Sequence, residues 1–227
     1  SSYTFTGLTE GTTYQISVKV EDNAGNESEK VDKNVLIPRQ ATKYILAKGE
    51  TDELKFDNRV DNNLRYIGVN PNNYVSFNNE LWRIIGVFNN IDDGTGKKET
   101  RIKIIRNEPL DNVNMWDNTD LYGTNDWNVS SLQQVLNTGA YWNRTTGTCP
   151  SQMYGQMTDC DFSESGLTQE AKSLIDDAVW NLGGTNSNEN IASDFYTYER
   201  GDQVHSGHLN TWTGTVGLIY PSDYAYA

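Results

Sequence analysis

Tryptophan is the residue type whose chemistry stands out in this 227-residue chain, which contains six of them. Trp116, Trp127 and Trp212 lie in polar, loop-rich stretches, as does Trp142, whereas Trp82 and Trp180 lie on strand or helix patterns. A loop tryptophan with one exposed ring face can stack on a sugar or a peptide, and a covered one serves core packing. The first three are therefore the candidate binding residues, with core packing as the alternative. Trp82 and Trp180 are predicted core residues.

The two cysteines, Cys149 and Cys160, share one stretch that is rich in Gly, Ser, Thr and Gln. No Cys-x-x-Cys motif is present and no histidine lies close to them in sequence, so the pattern does not indicate a zinc site. A local disulfide is the favoured interpretation, and it predicts an oxidising compartment; two free thiols are the alternative. Closing so short a loop stabilises the fold by about 2–3 kcal/mol.

Residue types that can bind a metal are present, but their spacing does not match a known metal-binding motif. His205 and His208 are the only histidines, and Gly207 between them indicates a loop rather than a helical metal pair. The segments 92–96 and 117–120 are rich in Asp and Asn, but neither has EF-hand spacing, so ordinary turns are favoured and calcium is the alternative. The sequence predicts no metal site and no cofactor.

Motifs for catalysis are scarce. The chain has no Gly-x-Ser-x-Gly nucleophile motif and no glycine-rich phosphate loop. Its many carboxylates leave a glycosidase-like pair open, because such a pair depends on proximity that sequence does not display. The prediction is that this protein is not an enzyme, with an enzyme acting on a glycan or cell-wall polymer as the alternative.

Composition narrows the class of partner. The chain carries 31 acidic and 18 basic residues, a net charge of -13, which disfavours nucleic acid and anionic membranes as partners. No run approaches the roughly 20 apolar residues of a membrane span, so membrane insertion is not predicted. The hydrophobic fraction is only 36%, but 11% of the residues are aromatic, which indicates a folded protein with a polar surface.

Residues 1–37 have the pattern of three strands. Residues 3–5 (Tyr-Thr-Phe) begin the first strand, and residues 14–20 form the second, with alternating apolar and polar side chains. Residues 22–26 (Asp-Asn-Ala-Gly-Asn) are turn-forming, and residues 31–37 form the last strand before Pro38. This stretch resembles the second half of a fibronectin type III domain, and the resemblance implies that Tyr14 is its tyrosine corner. The first strands of that sandwich are absent from the segment, so a partial β-sandwich with an open apolar face is expected.

Residues 38–44 are the predicted linker, and residues 45–227 are predicted to form an α+β domain. Its pattern is an antiparallel β meander with two helices: a hairpin over 74–88, a third strand over 101–106, one helix capped by Ser130 or Ser131 and another capped by Thr168. The second helix is predicted to run to Leu182, to bury Leu174 and to stop at Gly183-Gly184. A closing strand, indicated by Trp212 and residues 216–220, is predicted to end at Pro221.

The hairpin over 74–88, the segment from Trp127 and the run over 212–224 resemble an uncharacterised domain of Gram-positive surface proteins that is distantly similar to C-type-lectin-like folds. The resemblance implies an extracellular, cell-surface location and a binding, adhesin-like module in a multidomain bacterial protein. The implied partners are an unidentified protein or glycan ligand and neighbouring domains of the parent chain. A structural spacer without a ligand is a further alternative.

Overall fold

The computed structural model describes most of the chain and divides it into two compact units, Ser1–Lys48 and Gly49–Ala227. The described residues are 6–8, 13–36, 40–110, 115–118, 125–151, 153, 155–187, 190–204 and 207–227. Among them, no helix combines the length and the apolar composition that crossing a bilayer requires.

The first unit contains one antiparallel strand pair and one helix. The predicted strands form as β1 (Thr13–Val18) and β2 (Val31–Leu36), which pair in an antiparallel manner, and helix α1 (Ala41–Lys48) follows. Helix α1 therefore begins inside the segment predicted as a linker. The strand predicted at residues 3–5 lies outside the described residues. Val18 and Val20, on the apolar side of the alternation, are 57% and 67% exposed.

The core of the second unit is a five-stranded antiparallel sheet, which confirms the α+β class and the predicted meander. The hairpin turns at Asn78-Asn79, both in the left-handed region that a tight two-residue turn needs. The longest strand pairs with two short strands on one side and with a nine-residue strand on the other. The strands are β3 (Leu54–Phe56), β4 (Leu64–Tyr66), β5 (Tyr74–Phe77), β6 (Glu80–Asp92) and β7 (Lys98–Arg106).

Strand β6 is covered on both faces, as the apolar residues on both sides of its pattern predict. Val87 and Phe88 are neighbours in sequence and face opposite ways, yet they are 0% and 4% exposed. A register shift between Ile84 and Gly86 interrupts the two-residue alternation that the sequence suggests. At Gly86 a Cβ would lie 2.5 Å from the carbonyl oxygen of Leu64, so the approach of β4 requires glycine there.

The predicted first helix forms in two pieces, α2 (Ser131–Asn137) and α3 (Ala140–Asn143), after a 3-10 turn at Trp127–Val129. The Ser130 hydroxyl accepts a hydrogen bond from the backbone N–H of Gln133, which confirms the predicted helix cap. The break falls at Gly139, where a Cβ would lie 2.9 Å from the Cα of Val135.

The long second helix predicted over 168–182 is wrong. Thr168 does cap a helix, but α4 (Gln169–Lys172) ends after one turn, and residues 178–181 form strand β10 (Ala178–Asn181) instead. Strand β10 pairs with β11 (Thr211–Gly214), which brings Trp180 opposite Trp212. This tertiary pairing outweighs the helical spacing of the apolar residues. Leu174, predicted to be buried, is 70% exposed.

Among the described residues, the rest of the second unit contains one more strand pair and two helices that the sequence does not predict. Strands β8 (Thr146–Pro150) and β9 (Met157–Asp161) form a hairpin, and α5 (Ala192–Glu199) follows β10. The closing strand predicted from Trp212 and residues 216–220 forms only around Trp212, because β11 ends at Gly214. Its predicted extent over 216–220 is wrong. Pro221 begins helix α6 (Pro221–Ala225), where its missing N–H leaves no donor unsatisfied.

A hydrophobic cluster joins the helices to the β8–β9 hairpin. It is built from aromatic and aliphatic side chains together with the two sulfur atoms, and its fully buried members include Tyr141, Cys149, Phe162 and Leu167. Trp127 belongs to the same cluster, so the core of the unit extends to the predicted binding residues.

Candidate functional site

The three tryptophans predicted to bind a ligand lie together, although the sequence places them up to 96 residues apart. The ring centroids of Trp116 and Trp127 are 5.3 Å apart at an interplanar angle of 54°. Trp127 and Trp212 are 5.7 Å apart, with the rings nearly perpendicular. These separations are in the range at which aromatic pairs attract each other. The cluster therefore has the compactness that an aromatic binding surface needs.

The three rings differ in exposure, and this separates their roles. Trp116 is 38% exposed, Trp127 is only 5% exposed, and Trp212 is partly buried behind Trp127. A ligand can stack only on a ring that offers it a face. Trp116 is therefore the residue of the three that can offer a ring face to a ligand. Trp127 packs against Trp116, and Trp212 packs against Trp127.

Trp127 is held by the 3-10 turn that it begins. The Asp126 carboxylate accepts hydrogen bonds from the backbone N–H and the side-chain amide of Asn128, at 2.9 and 3.0 Å. The same carboxylate lies at the start of the turn, where a negative charge is favourable. The indole of Trp127 then points into the hydrophobic cluster. These contacts fix the position of Trp127 within its loop.

The loop that carries Trp116 is anchored by buried polar groups. The carbonyl oxygen of Trp116 accepts a hydrogen bond from the N–H of Leu132, at 3.0 Å. The next residue, Asp117, is 3% exposed and accepts bonds from the N–H and the hydroxyl of Ser131, at 2.9 and 2.7 Å. Asn118 donates its side-chain amide to the carbonyl of Gln156 in the disulfide-linked hairpin, at 2.6 Å. An exposed ring on such a backbone is pre-organised for contact with a ligand.

Trp212 is fixed from behind by strand pairing. It lies opposite Trp180 in the β10–β11 ladder, with 6.4 Å between ring centroids, and the Trp180 indole N–H donates to the carbonyl of Gly214 at 2.8 Å. A Cβ at Gly214 would lie 2.2 Å from the Trp212 ring. The packing of the two indoles therefore depends on glycine at that position.

Trp116 stands at the edge of a cleft of about 590 Å³, which we call the tryptophan cleft. This volume is within the usual range for small-molecule sites. Three parts of the chain line it: the Trp116–Trp127 region, the segment that follows β10 and the segment that precedes β11. Its polar lining residues are Asn125, Asp126, Thr185, Asn186, Gln203 and His208.

The far wall of the tryptophan cleft is fixed by main-chain hydrogen bonds. The N–H of Gly183 donates to the carbonyl of Glu199 and that of Gly184 to the carbonyl of Gln203, both at 3.0 Å. A Cβ at Gly183 would lie 2.4 Å from the carbonyl oxygen of Tyr198. The glycine pair, predicted to stop a helix, instead allows two main-chain segments to approach closely. These wall residues were missed by sequence reasoning, and the glycine pair is the signal that could have pointed to them.

The near wall carries the ionisable groups of the cleft. The His208 Nδ1 lies 3.0 Å from the carbonyl oxygen of Asn125 and 3.9 Å from Asp126 Oδ2. Among the described lining residues, Asp126 is the single carboxylate. The described lining residues therefore present an indole ring together with several side chains that can form hydrogen bonds.

The predicted disulfide is present. Cys149 and Cys160 are bonded across the β8–β9 hairpin with their Cα atoms 5.8 Å apart, and both are buried in the hydrophobic cluster. The bond therefore does more than close a loop, because it also fills part of the core.

In the acidic segment 92–96, both carboxylates accept hydrogen bonds from main-chain N–H groups of the same turn. Asp92 accepts hydrogen bonds from the N–H groups of Gly94 and Gly96, and Asp93 accepts one from Thr95. Within the described ranges, no group of three or more acidic, histidine or cysteine side chains is arranged to hold a metal ion. Residues 119 and 120 of the second acidic segment, and His205, lie outside the described residues.

Comparisons with protein families, with characterised proteins and with solved structures found no match to this chain.

Proposed function

We propose that the second unit is a ligand-binding module and that the tryptophan cleft binds a neutral glycan. The observation that carries this proposal is the exposed Trp116 ring on a rigid support at the edge of a polar cleft. Sugars present apolar C–H faces that pack on indole rings, and their hydroxyl groups bond to amides and hydroxyls such as those of Asn125, Thr185 and Gln203. In this proposal the module is part of an extracellular, adhesin-like bacterial surface protein.

Charge supports a neutral ligand over an anionic one. The chain has a net charge of -13, and Asp126 adds a carboxylate to the cleft itself. An acidic polysaccharide or a phosphorylated ligand would meet repulsion from both. Asp126 is the single carboxylate among the described lining residues, and this supports binding over hydrolysis of the glycan, which uses two carboxyl groups. The formed cleft supports binding over a spacer role.

The test is binding of the whole chain to an array of neutral and acidic glycans and to a peptide array, followed by calorimetry on the best ligand. Replacing Trp116 with Ala should weaken binding by about tenfold or more, because a few large aromatic residues carry much of the affinity of a binding site. Trp116→Phe should retain part of it. The matched control is Tyr224→Ala, which removes an aromatic ring that is 79% exposed and does not line the cleft.

Three results would contradict the proposal. The first is full affinity in Trp116→Ala, which would place the site elsewhere. The second is binding to peptides only, which would change the ligand class. The third is release of shortened glycan during incubation, which would make the protein an enzyme.

A further inference from the structure

A buried ionic cluster lies between the sheet and helix α6, outside the tryptophan cleft. Arg65 on β4 donates to Asp57 at 3.0 Å and to Asp223 at 2.8 Å, and all three side chains are 2% exposed or less. Lys103 on β7 pairs with the other oxygen of Asp223, Oδ2. Asp223 thus lies between two cations, with one carboxylate oxygen facing each.

The surroundings of Lys103 are aromatic. Its Nζ lies 4.0 Å from the ring centroid of Tyr220, 5.1 Å from that of Trp180 and 5.5 Å from that of Phe88. The side chain is 17% exposed, and the rest of its surroundings is an apolar groove of about 460 Å³. An ammonium group and a carboxylate in such surroundings have lost most of the water that stabilises their charges.

The protonation equilibria of the pair follow from these surroundings. Burial lowers the pKa of the Lys103 ammonium below its ordinary value, and the nearby charge of Arg65 lowers it further, while Asp223 opposes both. Burial alone would raise the pKa of Asp223, but Lys103 and Arg65 outweigh it and hold that pKa below the usual value. Both pKa values are therefore lowered. At Lys103 burial outweighs the attraction of Asp223 and Glu199, whereas at Asp223 the two neighbouring cations outweigh burial.

Asp223 is also held rigidly in place. It is the third residue of helix α6, and its Oδ2 accepts a hydrogen bond from the N–H of Tyr220. The neighbouring Ser222 donates its N–H and hydroxyl to the Glu199 carboxylate, at 2.8 and 2.6 Å. Glu199 is therefore a positioning residue for Asp223. Its own pKa is raised by burial, against the two hydrogen bonds from Ser222.

We propose that Lys103 and Asp223 condense into an intramolecular isopeptide bond that links strand β7 to helix α6. Proximity and exclusion of water favour this step, because a held amine and carboxyl group react as if at very high concentration. The cross-link rests on these side chains alone and is independent of the ligand proposed for the tryptophan cleft.

The reaction balances without an added reagent. The Lys103 ammonium first passes one proton to Oδ2 of Asp223, with which it pairs, so that a neutral amine faces a neutral carboxyl group. The amine nitrogen then attacks Cγ of Asp223 and the N–Cγ bond forms. A second proton moves from the nitrogen to Oδ2, the Cγ–Oδ2 bond breaks, and that oxygen leaves as one water through the apolar groove. The Arg65 guanidinium, bonded to Oδ1, stabilises the negative charge that develops there and then donates to the new amide carbonyl.

Charge balance favours the product. Condensation removes one positive and one negative charge from the interior, and Arg65 keeps its pairing with Asp57. Burying two charges is expensive even when they are paired, and a neutral amide does not carry that penalty.

The decisive measurement is the intact mass of the purified chain in denaturant after reduction of the disulfide. The proposal expects a mass about 18 Da below that of the sequence, the mass of one water lost in amide formation. Trypsin should then fail to cleave after Lys103. The C-terminal tryptic peptide 201–227 should appear joined to the peptide 102–106, because no Lys or Arg follows Arg200.

Two variants locate the bond. Lys103→Arg keeps the positive charge but offers no amine, so its mass should equal that of its sequence. Lys97→Arg changes a lysine whose side chain is 68% exposed and should retain the deficit. A wild-type mass equal to the sequence mass would show an ion pair only and overturn the proposal. A deficit that persists in Lys103→Arg, or a joined peptide pair that excludes 102–106, would overturn it as well. The wild-type result stands even if a variant fails to fold.

Discussion

Leu167 and Leu174 offer a matched test of where the core of the second unit lies. Both are leucines close to the short helix α4, and the same substitution by alanine removes the same atoms. Leu167 is 2% exposed within the hydrophobic cluster, whereas Leu174 is 70% exposed. Helical spacing predicts burial of Leu174, so the two substitutions separate the structure from that prediction.

The size of the effect follows from burial. Transfer of a leucine side chain out of water contributes roughly 1.5–3 kcal/mol, and a cavity left in a packed core adds to the loss, so Leu167→Ala should cost about 3 kcal/mol. The hydrogen bond from the Leu167 N–H to the Tyr141 carbonyl is kept in alanine. For a unit of this size the loss corresponds to a melting temperature about 6–12 °C lower. Leu174→Ala should change stability by less than about 0.5 kcal/mol.

Urea titration followed by tryptophan fluorescence is the assay, with the disulfide kept oxidised. All six tryptophans lie after residue 48, so the signal reports on the second unit alone. The slope of the transition should be the same in the three proteins, so that the midpoints compare stability directly. A wild-type midpoint for Leu167→Ala, or an equal loss in Leu174→Ala, would refute this packing of the core.

Three further predictions concern the cross-linked hairpin, a buried tyrosine and the glycine pair. Replacing Cys149 and Cys160 together with Ala should lower the free energy of unfolding by about 2–5 kcal/mol, and alkylation of the wild type without reductant should modify neither thiol; two modified cysteines would contradict this. Burial raises the pKa of Tyr141 to about 12. The unfolded chain loses this proton near pH ~10, so stability should fall by about 2–3 kcal/mol as the pH rises from ~10 to ~12, and urea midpoints should fall less steeply in Tyr141→Phe; parallel profiles would show that Tyr141 is not responsible. Gly183→Ala should destabilise by roughly 1–3 kcal/mol because its Cβ would meet main-chain oxygen, while Gly184→Ala, with open space, should change stability by less than about 0.5 kcal/mol; equal urea midpoints would show that Gly183 is not tightly packed.

Local signals in the sequence predict three strands of the five-stranded sheet, β5, β6 and β7, but not β3 or β4. The Asn78-Asn79 turn between two apolar runs places the β5–β6 hairpin, and the return of apolar residues at 101–106 places β7 beside it. The cysteine spacing predicts the disulfide, and Thr168 and Ser130 predict helix starts. In each of these cases the residues that decide the structure are close together in the chain.

Long-range pairing limits prediction of the rest. Residues 174–182 have helical spacing, but Trp180 pairs with Trp212 on a strand that follows 30 residues later, and a single-sequence pattern contains no trace of that partner. Arg65 and Asp223 are 158 residues apart and were not recognised as a pair. The residue type and the loop setting of Trp116, Trp127 and Trp212 indicate candidate binding residues. Which rings contact each other, and how much of each ring is exposed, depends on tertiary contacts.

The tryptophan cleft and the ionic cluster are joined through one series of aromatic contacts. Neighbouring centroids are 5.3, 5.7, 6.4 and 5.9 Å apart along the series Trp116, Trp127, Trp212, Trp180 and Tyr220. The last two rings also contact the Lys103 ammonium group. Each ring therefore limits the movement of its neighbour. The series begins at the exposed Trp116 ring and ends at Tyr220, beside the buried charged side chains. This arrangement explains why a surface tryptophan in a polar loop can keep a fixed orientation, since large rigid side chains in contact leave little room for rotamer change.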